Sequence, residues 1–186
     1  MVGHNRLSTL DWLVKYGVAQ SQQCLLCKLE DESHNHLFFE FDFSKFVWHN
    51  ILVKCLIHRR SFKWCNELDR LAWTQSSSSL KSTVRRWSLA TVVYHVWRER
   101  NGRWMLNQLK DKQSILNDCV ANIKIKLASL KNVTNTPFNR DLFEAWGRVP
   151  FSVWTSRLFF VCSCFCLFSA YWAILVRAGL LSCHLI

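Results

Sequence analysis

Acidic residues are scarce in this chain. Thirteen Asp and Glu stand against 24 Lys and Arg, which leaves a net charge of +11 over 186 residues and a sequence pI near 9.5. Such a balance favours polyanionic partners, either nucleic acid or an anionic membrane surface. Several signatures of catalysis are missing as well. There is no Asp-Asp pair, no glycine-rich phosphate loop, no His-Glu-x-x-His and no Gly-x-Ser-x-Gly. With these gone the chain reads as non-enzymatic, with no small-molecule substrate. No apolar run follows a basic start at the N-terminus, so a signal peptide is not expected and the expected compartment is intracellular, nuclear or cytoplasmic. In that reducing setting nine cysteines do not read as a disulfide framework.

What is present begins with Cys24-Leu25-Leu26-Cys27, followed nine positions later by His36, which opens the apolar run Leu37-Phe38-Phe39. Two cysteines separated by two residues place both sulfurs on one ion from a single tight turn, and an imidazole from the start of the next element supplies a third ligand. Thiolate and imidazole together select Zn²⁺ over hard cations. The alternative is that Cys24 and Cys27 are buried thiols and His36 an ordinary helix-capping residue.

Three blocks in order resemble the plant reverse transcriptase zinc-binding domain family of non-LTR (LINE-type) retrotransposons. Arg6-Leu7-Ser8-Thr9-Leu10-Asp11-Trp12-Leu13 with Gly17-Val18 is similar to its lead-in. Cys24 to Cys27, Glu32, His36 to Glu40, Phe43-Ser44 and Val47-Trp48 are similar to its core. Tyr94-His95-Val96-Trp97-Arg98-Glu99-Arg100-Asn101-Gly102-Arg103 is similar to its later helix. The resemblance covers Arg6 to about Leu130. It implies a zinc site of three cysteines and one histidine, with the last cysteine five positions after the histidine. This chain has Phe41 there. His34, water or the distant Cys55 would have to complete the tetrahedron, and a site worth about 10–16 kcal/mol in small zinc domains would be weakened. The family's reverse-transcriptase core, with paired aspartates, would lie upstream and is absent from this sequence.

The expected fold is mainly α: a small zinc-knuckle module followed by a helical hairpin, with a hydrophobic C-terminal helix. Residues 1–74 make the zinc-binding module. Within it a short helix is expected over 5–18, with Asn5 or Ser8 as cap, and a second over 37–56, with Phe39, Phe43, Phe46, Val47, Ile51 and Leu52 as buried stripe. Residues 75–80 form a Ser-rich linker. The hairpin occupies 81–131. Its first helix has Val84, Trp87, Thr91, Tyr94, Trp97 and Trp104 on the apolar face, and its second has Leu116, Cys119, Ile123, Leu127 and Leu130. Arg85, Arg86, Arg98, Arg100 and Arg103 are left to the polar side as candidate contacts for RNA or single-stranded DNA, although the same charges also suit an ordinary solvent face.

Residues 132–157, with Pro137 and Pro150, read as a linker. Residues 158–176 then carry no charge and match the roughly 20 residues of a membrane-spanning helix. A membrane is therefore a second candidate partner, and a tail-anchored membrane protein the alternative class, with 177–186 as the tail. The same composition, rich in Phe, Cys, Ser, Leu and Val, is also what read-through of thymine-rich sequence would yield.

Overall fold

A computed structural model describes residues 7–73, 79–106, 109–131 and 133–147, with side chains omitted at 71–73. Residues 1–6, most of the Ser-rich linker, the candidate span 158–176 and the tail lie outside this set. Among the described residues no helix is long and apolar enough to cross a membrane, and no strand occurs, only an isolated antiparallel bridge between Gln23 and Asp31. The mainly helical class is as expected.

The described residues form six α-helices, in order α1 (Leu10–Lys15), α2 (Asp42–Lys54), α3 (Trp64–Trp73), α4 (Leu80–Leu106), α5 (Lys112–Ala128) and α6 (Pro137–Ala145). Thr9 sits extended at the N-cap of α1, but its hydroxyl pairs with His34 Nδ1 at 3.3 Å instead of capping the helix. The Leu10 N–H donates to Glu32 Oε1 instead, at 2.8 Å. A carboxylate from another segment thus meets the positive end of the helix. Gly17, with φ +71°, ends the turn in a conformation that side chains resist.

Residues 37–56 do not form one helix. His36–Glu40 is a wide π-type turn, closed by the Phe41 N–H on the His36 carbonyl at 2.9 Å. Phe41 is extended, and its carbonyl accepts from Ser44 Oγ at 3.0 Å as α2 begins. The expected stripe survives the break: Phe39, Phe43, Val47, Ile51 and Leu52 are buried, with Phe46 half-buried.

On α4 the expected Val84 and Thr91 are buried, while the aromatic positions differ from expectation. Tyr94, Trp87 and Trp97 are half-buried and Trp104 is 44% exposed, whereas Val84, Ser88, Val92, His95, Val96 and Glu99 face inward. Small and β-branched side chains let α4 approach α2 and α5 closely, and the tryptophans lie along the border of that contact. In α5 the expected residues Leu116, Cys119, Ile123 and Leu127 are buried as read.

The largest correction concerns 132–157, where the linker contains α6. Thr136 accepts from the Asn139 N–H at 3.2 Å, Pro137 fills the first turn, and Gly147 at φ +81° follows the end. Leu142, Phe143 and Trp146 are buried in the core. One continuous apolar cluster runs from Leu7 through Phe38, Trp48, Val92 and Ile123 to Trp146. The module at 1–74 and the hairpin at 81–131 therefore share a core.

Two charged clusters join distant parts of this body. The Glu32 carboxylate, fully buried, takes Arg100 Nε at 3.1 and 3.2 Å and Nη2 at 2.9 Å, as well as the α1 N–H. Arg103 donates to Glu99 Oε1 at 2.7 Å, to the Leu26 carbonyl at 3.1 Å and to the Lys110 carbonyl at 3.2 Å. Glu32→Ala leaves the Arg100 charge buried without its counter-ion, and the expected loss is about 3–5 kcal/mol of unfolding free energy in a denaturant titration. An apolar double variant, Glu32→Leu with Arg100→Met, should recover most of it.

His95 predicts a pH dependence. It is buried between α4 and α5, and Asn122 Nδ2 donates to its Nε2 at 2.8 Å. Burial pushes its pKa from 6.5 down to about 4; Arg98 and Lys110 add to the fall and Asp118 opposes it. The unfolded chain binds this proton near pH 6.5 and the native state only near 4. Stability is thus full above about pH 6.5 and declines as pH falls through that window, by roughly 3 kcal/mol at about 1.4 kcal/mol per pH unit. His95→Gln should flatten this part of the profile, read from thermal midpoints between pH 7 and 4.

Candidate metal centre

The turn that carries the two cysteines is built by backbone hydrogen bonds. Cys24 N–H donates to the Glu30 carbonyl and Lys28 N–H to the Cys24 carbonyl, both at 2.8 Å. Lys28 takes φ +56°, the reversal that turns the chain back on itself after Cys27. The Leu29 N–H then points at Cys27 Sγ, 3.4 Å away, while the Leu26 and Cys27 N–H groups face Cys24 Sγ. Backbone dipoles are thus aimed at both sulfurs. With no metal bound, burial pushes the Cys24 thiol up to about 11, with these N–H groups opposing and the neighbouring Cys27 and Glu32 adding. A metal at this site therefore displaces a thiol proton.

His36, from the start of the π-type turn, brings Nε2 to 3.3 Å from Cys27 Sγ. The ligand atoms of Cys24, Cys27 and His36 all lie within 4.8 Å of one another. A tetrahedron with Zn–S near 2.3 Å and Zn–N near 2.0 Å separates its sulfur and nitrogen by about 3.5 Å, so the donors fit zinc in type and spacing. The opposite ring nitrogen, Nδ1, lies 3.0 Å from Glu30 Oε2. Donation from Nδ1–H to that carboxylate leaves the Nε2 lone pair facing the thiolates and fixes the ring.

His34 does not join the three. Its Nδ1 pairs with Thr9, its ring packs against Trp64 and Phe38 at 5.7 and 6.4 Å, and it is buried away from the cluster. Two residues apart in a helical turn, side chains diverge by about 200°, so His34 and His36 face opposite ways. Cys55 is likewise elsewhere, bonded to Ser88 Oγ at 3.3 Å. Phe41 is beside the site: its ring stacks on His36 at 5.6 Å and on Phe43 at 6.2 Å.

The five arginines named as nucleic-acid contacts do not form one face. Arg100 is 2% exposed and its fork is committed to Glu32; Arg103 is half-buried and holds the metal turn through Leu26. Arg85 is half-buried, Arg86 donates to Thr83 Oγ1, and Arg98 is exposed. Arg85 and Arg100 are separated by on the order of 22 Å along α4. Missing from the sequence reading were the roles of Glu30, Glu32, Glu99 and the Arg59–Glu67 pair. Their signal was a carboxylate within the ligand loop or opposite an arginine in an otherwise basic chain.

Glu30→Gln removes the charge behind His36. Because Glu30 is largely exposed, the expected loss of zinc affinity is at the lower end for such partners, about tenfold, with one zinc per chain retained. Competition with a chelating indicator measures this; an unchanged affinity would show that the carboxylate does not orient the ligand.

Comparison with known proteins bears on these same residues. No curated protein and no solved structure matches the chain. A family model described as zinc-binding in reverse transcriptase matches residues 1–48, a span that holds Cys24, Cys27, His36 and Glu30 and takes in no catalytic domain. Over those residues the chain is similar to the zinc-binding domains of reverse transcriptases.

Proposed function

We propose that this protein is a non-enzymatic zinc-binding module that holds RNA or single-stranded DNA on its basic surface. The juxtaposition of Cys24, Cys27 and His36 within 4.8 Å, with Glu30 behind the imidazole, carries the reading. Zinc there acts as a cross-link between the cysteine turn and the start of the π-type turn. Phe41 stands where the family resemblance places a fourth, thiolate ligand, and its ring lies against His36. We read the ion as held by three protein ligands with water in the fourth position, and so more weakly than in a closed site. A charge of +11 supports a polyanionic partner. The Tyr94–Arg103 block supports an origin in a non-LTR retrotransposon, and Glu99, Arg100 and Arg103 within it explain why such a helix accompanies the metal turn.

The full-length protein tests both parts. Phe41→Cys should raise zinc affinity by on the order of tenfold or more and raise the thermal midpoint. Binding to a labelled single strand should weaken steeply between low and moderate salt through counterion release. Zinc affinity untouched by Phe41→Cys refutes the three-ligand site, and a flat salt response refutes the nucleic-acid role.

A further inference from the structure

A second charged site lies in a cleft bordered by α2, α3 and α4, with Trp48, Cys55, Arg59, Glu67, Arg70 and Arg85 in its walls. Three guanidinium groups face one carboxylate. Glu67 is 2% exposed, and both of its oxygens already accept hydrogen bonds. Arg59 Nη1 and Nη2 each donate to it at 2.6 Å, Trp48 Nε1 at 3.2 Å and the Phe62 N–H at 3.0 Å. None of these four hydrogen bonds comes from Arg85, which feels Glu67 as a nearby charge.

Arg85 is half-buried, and among the described residues no carboxylate forms an ion pair with it. Its pKa is lowered by burial first and by Arg59 next, the behaviour of a cation held partly out of water beside like charge. A desolvated guanidinium without a counter-ion is unfavourable unless an anion completes it. The aromatic ring nearby is already covered: Arg59 and Arg70 lie over Phe62 at 4.7 and 4.5 Å. No stacking platform for a base remains, so the chemistry here suits a phosphate, whose oxygens match the planar fork of arginine.

We propose that Arg85, on the wall of this cleft, takes a phosphate group supplied by the backbone of a bound nucleic-acid strand, with Arg59 and Arg70 beside it adding positive field to the cradle. This assignment rests on the nucleic-acid reading above and names the surface that reading requires. The exposed Arg60 and Lys63 flank the same loop in sequence and extend its positive field.

The test uses full-length, zinc-loaded protein and a fluorescent 20-nucleotide oligouridine, with inorganic phosphate as the second probe. Arg85→Gln should weaken RNA binding about fivefold to twentyfold at low salt and reduce the salt slope by about one. Arg85→Lys should fall between, since it keeps the charge and loses the fork. Arg140→Gln, the same charge change at an exposed position of α6, should have a much smaller effect. Among the described residues Arg85 makes no hydrogen bond through its side chain, so zinc content and helicity should not change in its variants. RNA binding equal in Arg85→Gln and Arg140→Gln overturns the cradle and leaves the nucleic-acid reading standing. No RNA binding by the wild type, together with a thermal stabilisation by inorganic phosphate that Arg85→Gln abolishes, keeps the cradle as a site for free phosphate and refutes the nucleic-acid reading. Absence of both refutes both.

Discussion

The carboxylate of Glu32 meets the guanidinium of Arg100 at a point where three segments would otherwise have no reason to stay in register. One oxygen takes the first N–H of α1, and both take the fork of α4. Each group would be costly to bury alone, so the pair tolerates little displacement of the loop that bears Glu32. That loop follows the cysteine turn directly. Arg103, one turn further along α4, reaches the carbonyl of Leu26 inside the turn itself. The position of the metal ligands on the helical body thus follows from two arginines whose charge never reaches solvent freely. The worth of such a pair lies less in net stability than in excluding alternative placements.

This division of labour changes how the basic composition is understood. A charge of +11 suggests a uniformly cationic surface. In the folded chain Arg100, Arg103 and Arg59 are tied to Glu32, Glu99 and Glu67. Three of the thirteen acidic residues, Glu32, Glu67 and Glu99, are buried, and each is paired with an arginine. What remains to attract a polyanion is a subset, including the exposed Arg98 and the partly covered Arg85.

Much of the metal turn was legible because its constraints are local. The Cys24–Cys27 spacing and a histidine opening an apolar run need no tertiary knowledge, and the structure brings the three donors together. The stripe of α5 was legible for the same reason: aliphatic residues at helical spacing have one way to be buried. The α4 face was misjudged because aromatic size was allowed to outweigh shape. Close helix contact selected Ser88, Val92 and Val96 beside the expected Val84 and Thr91, and the tryptophans are only partly covered. Helix α6 was missed because Pro137 was taken as a breaker, when a threonine before a proline is also a helix start. The clamp residues could not be assigned from sequence, since pairing Glu32 with Arg100 depends on contacts between segments 68 residues apart.

That separation has a consequence for what counts as a module. The family match ends at residue 48, yet the partner of its buried carboxylate lies on α4, and the ring of Phe39 packs on Trp64, beyond that boundary. The segment that matches the family is therefore not the segment that folds as one. Moving residues 1–48 alone into another protein would transplant the ligands without the surface that holds them, and would expose a stripe of phenylalanine and tryptophan to water. The apolar cluster that these residues share extends from Leu7 to Trp146, and the Glu32–Arg100 pair lies within the same stretch.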